Sequence, residues 1–149
     1  MLKIGHRGAA GTTPENTEAS FREALKRKVD MVEFDVRLTK DGKLVVFHDS
    51  DLSRICNEDV AVSMLTLKEL KKYDVGSWYN SNYVDEKIVT LQEVITSYPI
   101  TKGLAEVLGY ISLLQGNEKF LLNKEEVEYL KFDFESEKYL RVPQIIFCK

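Results

Sequence analysis

Apolar and polar residues alternate most cleanly over Met31-Val32-Glu33-Phe34-Asp35-Val36. On a strand this puts Val32, Phe34 and Val36 on one face and Glu33 and Asp35 on the other. Leu2 to His6 is a second, shorter strand in which Ile4 and His6 share a face. Between the two, Phe21, Ala24 and Leu25 recur at helical spacing opposite Arg22, Lys26 and Arg27, which predicts a helix over Glu18–Lys28. Asn16 or Thr17 is its N-cap, and Pro14 ends the small-residue loop Gly8-Ala9-Ala10-Gly11 that precedes it. The order strand, helix, strand implies parallel strands covered by helices. Asp41-Gly42 is a tight-turn dipeptide, after which Lys43 to Phe47 returns as a strand.

Beyond Asp51 the pattern is less regular. Thr66-Leu67-Lys68-Glu69 fits a capping box, with Leu67, Leu70 and Tyr73 behind it. Trp78, Tyr79 and Tyr83 sit in a loop and are expected to serve core or lid packing rather than substrate stacking. Thr90-Leu91-Gln92-Glu93 is a second capping box, opening a helix toward Tyr98 that Pro99 breaks. Leu104, Val107, Leu108, Ile111 and Leu114 predict a helix over Gly103–Leu114. A short helix is expected from Asn123 through Leu130, and Phe132–Glu135 alternates like a strand. Tyr139 to Phe147 is apolar, but Pro143 inside it predicts an edge or interrupted strand.

Composition narrows the class. The chain has 149 residues, of which 44% are hydrophobic, enough for one globular domain with a real core. A net charge of -3 with no basic stripe argues against a nucleic-acid partner. Acidic and basic residues stay balanced along the chain, so charge marks no domain boundary. Cys56 and Cys148 are far apart and lack metal-ligand spacing, which favours a reducing compartment. Met1-Leu2-Lys3-Ile4 leads straight into the first strand, and no apolar run reaches transmembrane length. A cytoplasmic protein is expected.

The chemistry concentrates between Gly5 and Asp49. The chain has two histidines, His6 and His48, and they bracket Glu33 and Asp35, with Arg7 beside the first. Two carboxylates on a strand covered on both faces need a cation or hydrogen-bonding partners. Their adjacency raises that demand, and a hard cation such as Mg²⁺ or Ca²⁺ suits two oxygen ligands. Asp49 either orients a site group or caps the turn at Ser50.

Taken together, Gly5-His6-Arg7-Gly8, Pro14-Glu15-Asn16-Thr17, Val32-Glu33-Phe34-Asp35-Val36, Thr39-Lys40-Asp41-Gly42 and His48-Asp49, with Leu52 and Arg54 beyond, resemble the glycerophosphodiester phosphodiesterase family. The resemblance covers about residues 1–95, while 96–149 match nothing in the family pattern. It implies an α/β fold, a partial or truncated TIM-type (β/α) barrel of parallel strands with covering helices, formed by 1–149 as a single domain. It implies Glu33 and Asp35 as ligands of a divalent metal, Mg²⁺ or Ca²⁺. His6 and His48 would share the general acid and base roles, and Arg7 would hold a phosphate oxygen. In the family a glycerol hydroxyl attacks phosphorus, one histidine taking its proton and the other protonating the departing alcohol. The implied activity is hydrolysis of a glycerophosphodiester to glycerol 3-phosphate and an alcohol.

The chain departs from that pattern in one respect. Family members carry a third metal carboxylate and a lysine as Glu-x-Lys on the next barrel strand, and Thr96–Gly116 contains none; Glu106 lies in the helical pattern. Glu118-Lys119, Asp133 and Glu135 are the other candidate oxygen donors. A complete (β/α)₈ barrel needs about 200 residues or more, so this chain would hold three or four of the strands. A homo-oligomer that covers the open edge is one expectation. A phosphodiester- and metal-binding module without turnover, and a phospholipase D-like enzyme acting on lysophospholipid head groups, are the alternatives to the glycerophosphodiesterase.

Overall fold

The computed structural model describes residues 3–97, 105–106 and 144–148. Strand β1 (Ile4–His6) leads through a loop into helix α1 (Glu18–Lys26), and the chain returns as β2 (Met31–Leu38). β1 and β2 pair in parallel, with Ile4 opposite Met31 and His6 opposite Glu33. The expected strand–helix–strand unit is therefore present. Thr17, not Asn16, caps α1: its side chain accepts from the Ser20 N–H at 3.2 Å. The helix stops at Lys26, two residues short of the expected end.

β2 is the strand on which the rest is hung. Phe34 and Val36 are buried on it, and so are Glu33 and Asp35. Phe34 meets Phe21 of α1 edge to face, with ring centroids 5.5 Å apart. Both faces are thus covered, and the carboxylates do not look into bulk water. At Gly42 the chain turns with φ +73°, a left-handed conformation that glycine takes without steric cost. The Thr39 hydroxyl donates to Asp41 and accepts from the Lys43 N–H, closing that turn. β3 (Leu44–Val46) then runs back antiparallel along the C-terminal half of β2, shorter by a residue at each end than the sequence suggests.

A second core lies beyond β3. Val45, Phe47, Leu52, Ile55, Val62, Leu70, Val75 and Ile88 form one buried cluster. β4 (Asp51–Leu52), α2 (Ser53–Cys56), β5 (Glu58–Ala61) and α3 (Leu67–Leu70) contribute to it, and α4 (Leu91–Ser97) follows in the chain. β4 and β5 form a separate antiparallel pair. Both predicted capping boxes are made. Thr66 and Glu69 exchange side chain–backbone bonds at the start of α3, and Thr90 and Glu93 do the same at α4. Val46 N–H donates to Val89 at 2.8 Å, seating the start of α4 beside β3. The Cys56 thiol is free, and burial pushes its pKa up to about 11. Trp78, Tyr79 and Tyr83 do not enter the core. They form an edge-to-face run, Trp78 to Tyr79 to Tyr83, with Trp78 41% exposed.

The tail corrects three expectations. β7 (Gln144–Cys148) lies antiparallel on the free edge of β2, between it and β6 (Ala105–Glu106). It is an inner strand of that sheet among the described residues, not the edge strand expected; Pro143 lies outside the described residues. Ala105 and Glu106 are strand, not helix, because pairing with β7 overrides the local spacing. Among the described strands β1 and β2 pair in parallel as expected and β3 returns antiparallel after its turn, while β7 and β6 add to the sheet antiparallel, where further parallel strands were expected; no closed barrel forms among the described residues. The predicted helix from Asn123, the strand Phe132–Glu135 and the residues Glu118, Lys119, Asp133 and Glu135 lie outside the described residues. Among the described residues no helix is long and apolar enough to cross a membrane.

Leu70 is fully buried at the centre of the second core. Leu70→Ala is expected to cost about 2–5 kcal/mol in urea denaturation, with an unchanged slope.

Candidate active site

The site begins at the turn after β1. Arg7 and Gly8 have φ of +49° and +84°, which reverses the chain over the end of β2. The turn is locked by Ser20 of α1, whose hydroxyl donates to the Arg7 carbonyl and accepts from the Ala9 N–H, both at 2.7 Å. A side chain at Gly8 would meet Ser20 at 2.2 Å, so α1 and the turn are in contact through that missing Cβ. The turn aims Arg7 inward. Its N–H donates to Glu33 Oε2 at 3.1 Å. Its Nε lies 3.2 Å from Asp35 Oδ2, and its Nη1 donates to Glu15 Oε1 at 3.0 Å.

Asn16 is the third left-handed residue of the site, with φ +56°. It is not the helix cap but a wall of the site: its N–H donates to the Arg7 carbonyl, and its side-chain amide to Asp35 Oδ2 at 3.1 Å. Asn tolerates this backbone region better than most residues. The turn and the Pro14–Thr17 segment are therefore one construction around Glu33 and Asp35.

Glu33 and Asp35 are 5% and 0% exposed. Burial pushes the Glu33 carboxyl above its usual range, and the neighbouring Asp35 charge adds to this; the Arg7 N–H and the His6 and Arg7 charges oppose it. Four buried polar atoms here have no hydrogen-bond partner: Arg7 Nε, Asn16 Oδ1, Glu33 Oε1 and Asp35 Oδ1. The Arg7–Asp35 contact is close enough for ion pairing but is not aligned as a hydrogen bond. Three of the four are oxygens. Leaving such atoms buried and unpaired costs about 1–3 kcal/mol each, more when charged. A hard cation is the partner that oxygen donors of this kind take. Among the described residues no group of three His, Cys, Asp or Glu side chains is arranged to hold a metal, so two carboxylates stand where a full ligand set has more.

The histidines sit at different depths. His6 is exposed, with Nε2 3.9 Å from Glu33 Oε2, a loose contact. His48, just past β3, is half-buried and lines one small cavity with Glu15, Asn16 and Phe47. The Phe47 N–H donates to the Asp35 carbonyl at 3.0 Å, which seats this segment against β2. Arg37 holds the His48 carbonyl through two donors. The His48 ring contacts Asp49 Oδ1 through Nδ1 at 2.6 Å, so Asp49 orients a site group. Burial alone would raise the Asp49 pKa, but hydrogen bonds from Arg54 and His48 hold it below the ordinary carboxylate value. Arg54 also grips Glu15 through two donors.

Every predicted site residue thus lies in one neighbourhood. His6, Arg7, Glu33 and Asp35 are in direct contact, and His48 joins them through Asp49, Arg54 and Glu15. Glu15, Asn16, Ser20 and Arg54 were not singled out as site residues from the chain. The signal was there for three of them: Glu15 and Asn16, inside the Pro14-Glu15-Asn16-Thr17 motif, and Arg54 are among the residues that carry the family resemblance, though the only role given to any of them was Asn16 as a possible cap.

Two glycines separate backbone strain from steric clash. Gly42 has φ +73° with open space where a Cβ would go, and Gly8 has both a positive φ and Ser20 in the way. Gly42→Ala is expected to lower stability by about 1 kcal/mol. Gly8→Ala should cost clearly more in the same thermal melts; equal losses would mean that Ser20 yields freely.

The glycerophosphoryl diester phosphodiesterase family model matches residues 6–148. YhdW of Bacillus subtilis is 41% identical over 134 residues, 90% of this chain and 53% of its own length. A glycerophosphodiester phosphodiesterase of Caldanaerobacter subterraneus is 45% identical over 93 residues, 62% of this chain and 38% of its own. Among solved structures, a phosphodiesterase of Oleispira antarctica in complex with its product sn-glycerol-3-phosphate is 44% identical. It covers 64% of this chain and 39% of its own at a TM-score of 0.62. The chain spans about half or less of the length of these relatives. With the match running from His6 through the sheet to β7, the chain belongs to the glycerophosphoryl diester phosphodiesterase family.

Proposed function

We propose that this chain carries the opening part of a TIM-type barrel and acts on glycerophosphodiesters, releasing glycerol 3-phosphate and an alcohol. The observation that carries the reading is the set of unpartnered buried oxygens on Glu33, Asp35 and Asn16 beside Arg7. A core does not retain paired carboxylates in this state without a partner to offset them. Glu33 and Asp35 would hold a divalent cation of the Mg²⁺ or Ca²⁺ class. When bound, such a cation offsets the charge of the phosphoryl oxygens.

The protein's own groups supply the rest. Arg7 presents a planar fork suited to a phosphate oxygen, and its turn is locked by Ser20, so the guanidinium is aimed before any ligand arrives. Phosphate would draw it from Glu15, an exchange of one oxyanion for another. His48, held at Nδ1 by Asp49, keeps Nε2 for proton transfer; His6 is exposed enough to meet a substrate at the rim. One imidazole would take the proton of the attacking glycerol hydroxyl and the other would deliver a proton to the departing alcohol oxygen; water would then open the resulting cyclic phosphate, with the two proton transfers reversed, to give glycerol 3-phosphate.

A second reading has an observation of its own. No third metal-binding side chain completes the set among the described residues, which favours a phosphodiester- and metal-binding module without turnover. A metal-dependence assay on glycerophosphocholine separates the two. Turnover that chelation abolishes supports the enzyme. Tight cation binding without product release supports the module. Lysophosphatidylcholine in the same assay tests the phospholipase D-like alternative.

For the enzyme, His6→Ala and His48→Ala are each expected to lower kcat by about 10²–10⁴-fold, measured as glycerol 3-phosphate release. Residual activity near that of the unmodified chain would remove that histidine from the acid–base pair.

Both readings require the cation. At a concentration a hundred times its Kd it should raise the stability of the unmodified chain by about 2.7 kcal/mol. In Glu33→Gln that gain should largely disappear, by calorimetric titration and thermal melting alike. An unchanged affinity would place the cation elsewhere.

A further inference from the structure

We propose that Arg54 is a positioning residue for this site, setting His48 through Asp49 and Arg7 through Glu15. Its catalytic consequence rests on the phosphodiesterase reading above. Its structural consequence does not.

The guanidinium of Arg54 is shared among three neighbours. Nε donates to Asp49 Oδ2 at 2.7 Å. Nη2 donates to Glu15 Oε1 at 2.6 Å, and Nη1 to Glu15 Oε2 at 3.2 Å. The guanidinium carbon lies over the Trp78 ring, 5.6 Å from its centroid. Edge donors to two carboxylates and a face against an aromatic ring use the planar fork in the way that distinguishes Arg from Lys.

Each carboxylate passes the constraint on. Asp49 uses its other oxygen, Oδ1, to meet His48 Nδ1 at 2.6 Å. An ionised carboxylate only accepts, so Nδ1 of a neutral His48 must carry the proton and Nε2 is left as the free acceptor. Asp49 is next to His48 in sequence and is fixed from the other side by Arg54. Without that grip its carboxylate could turn, and the tautomer would no longer be set. At the other end Glu15 Oε1 accepts from both Arg54 and Arg7, so Arg54 takes part of the negative charge that otherwise falls on Arg7. Arg7 in turn reaches Asp35. The run Asp35, Arg7, Glu15, Arg54, Asp49, His48 ties the buried carboxylates to the second histidine by side chains alone.

The test uses the full chain with Arg54→Gln and Arg54→Lys. ¹⁵N spectra of the imidazoles report the His48 tautomer, with His6 as an internal control. Trp78, the one tryptophan in the chain, reports departure of the guanidinium by fluorescence. Neutral His48 of the unmodified chain is expected as the Nδ1–H tautomer. In Arg54→Gln the Nε2–H share should rise, Trp78 emission should change, and kcat on glycerophosphocholine should fall by about 10–100-fold with a smaller change in KM. Arg54→Lys should shift the tautomer less, in the same direction. If Arg54→Gln does not fold by circular dichroism, the lysine variant carries the comparison. A tautomer shift in a chain that shows no turnover supports the positioning role and sinks the enzyme reading alone. An unchanged His48 tautomer overturns the positioning role, whatever happens to kcat.

Discussion

The structure depends on burying two carboxylates one residue apart on a central strand. Glu33 and Asp35 are taken out of water by the same fold that puts Phe34 and Val36 into the core. That burial is unfavourable on its own account, and the surroundings are arranged to offset it. The turn after β1 spends two left-handed residues to bring the Arg7 N–H and guanidinium onto them. Asn16 adopts a third left-handed conformation to donate an amide. The offset is incomplete, since one oxygen of each carboxylate stays without a partner. Local backbone strain and unmet hydrogen bonds in one place mark a site kept for a ligand rather than for stability.

The second core explains how His48 is held. β3 pairs with β2 and is itself backed by Val45 and Phe47 in the cluster around Leu52 and Leu70. His48 emerges from that packed edge, with its carbonyl fixed by Arg37 and its ring by Asp49. His6, by contrast, ends a short strand and is mostly exposed. The two imidazoles therefore differ in how far their positions are determined before substrate binds: one is preset and the other is free to adapt.

Much of this was legible in the chain. The β2 alternation, the α1 spacing, the Asp41-Gly42 turn and the two capping boxes are local signals, and local chemistry decides them. Burial of Glu33 and Asp35 followed from topology, because a strand in a strand–helix–strand unit has no free face. What escaped reading was set by partners distant in sequence. Arg54 and Glu15 are separated by 39 positions, and nothing in either neighbourhood announces the pairing. Asn16 looked like a cap because caps and left-handed residues draw on the same amino acids. The helical spacing at Ala105 and Glu106 lost to a ladder with β7, and β7 lies between two strands rather than at an edge among the described residues. Trp78 and its tyrosines were expected in core or lid packing; they stay outside the buried cluster, and Trp78 stacks on Arg54.

The position of β2 has an evolutionary consequence. Its backbone bonds to β1, β3 and β7, and its side chains belong alternately to core and site. A substitution that repacks Phe34 or Val36 shifts the carboxylates between them, since one rigid ribbon bears all four. Drift in the hydrophobic interior is thus coupled to ligand affinity. Selection on either property is selection on both, which would hold this segment nearly constant while the more distant loops diverge to suit new ligands.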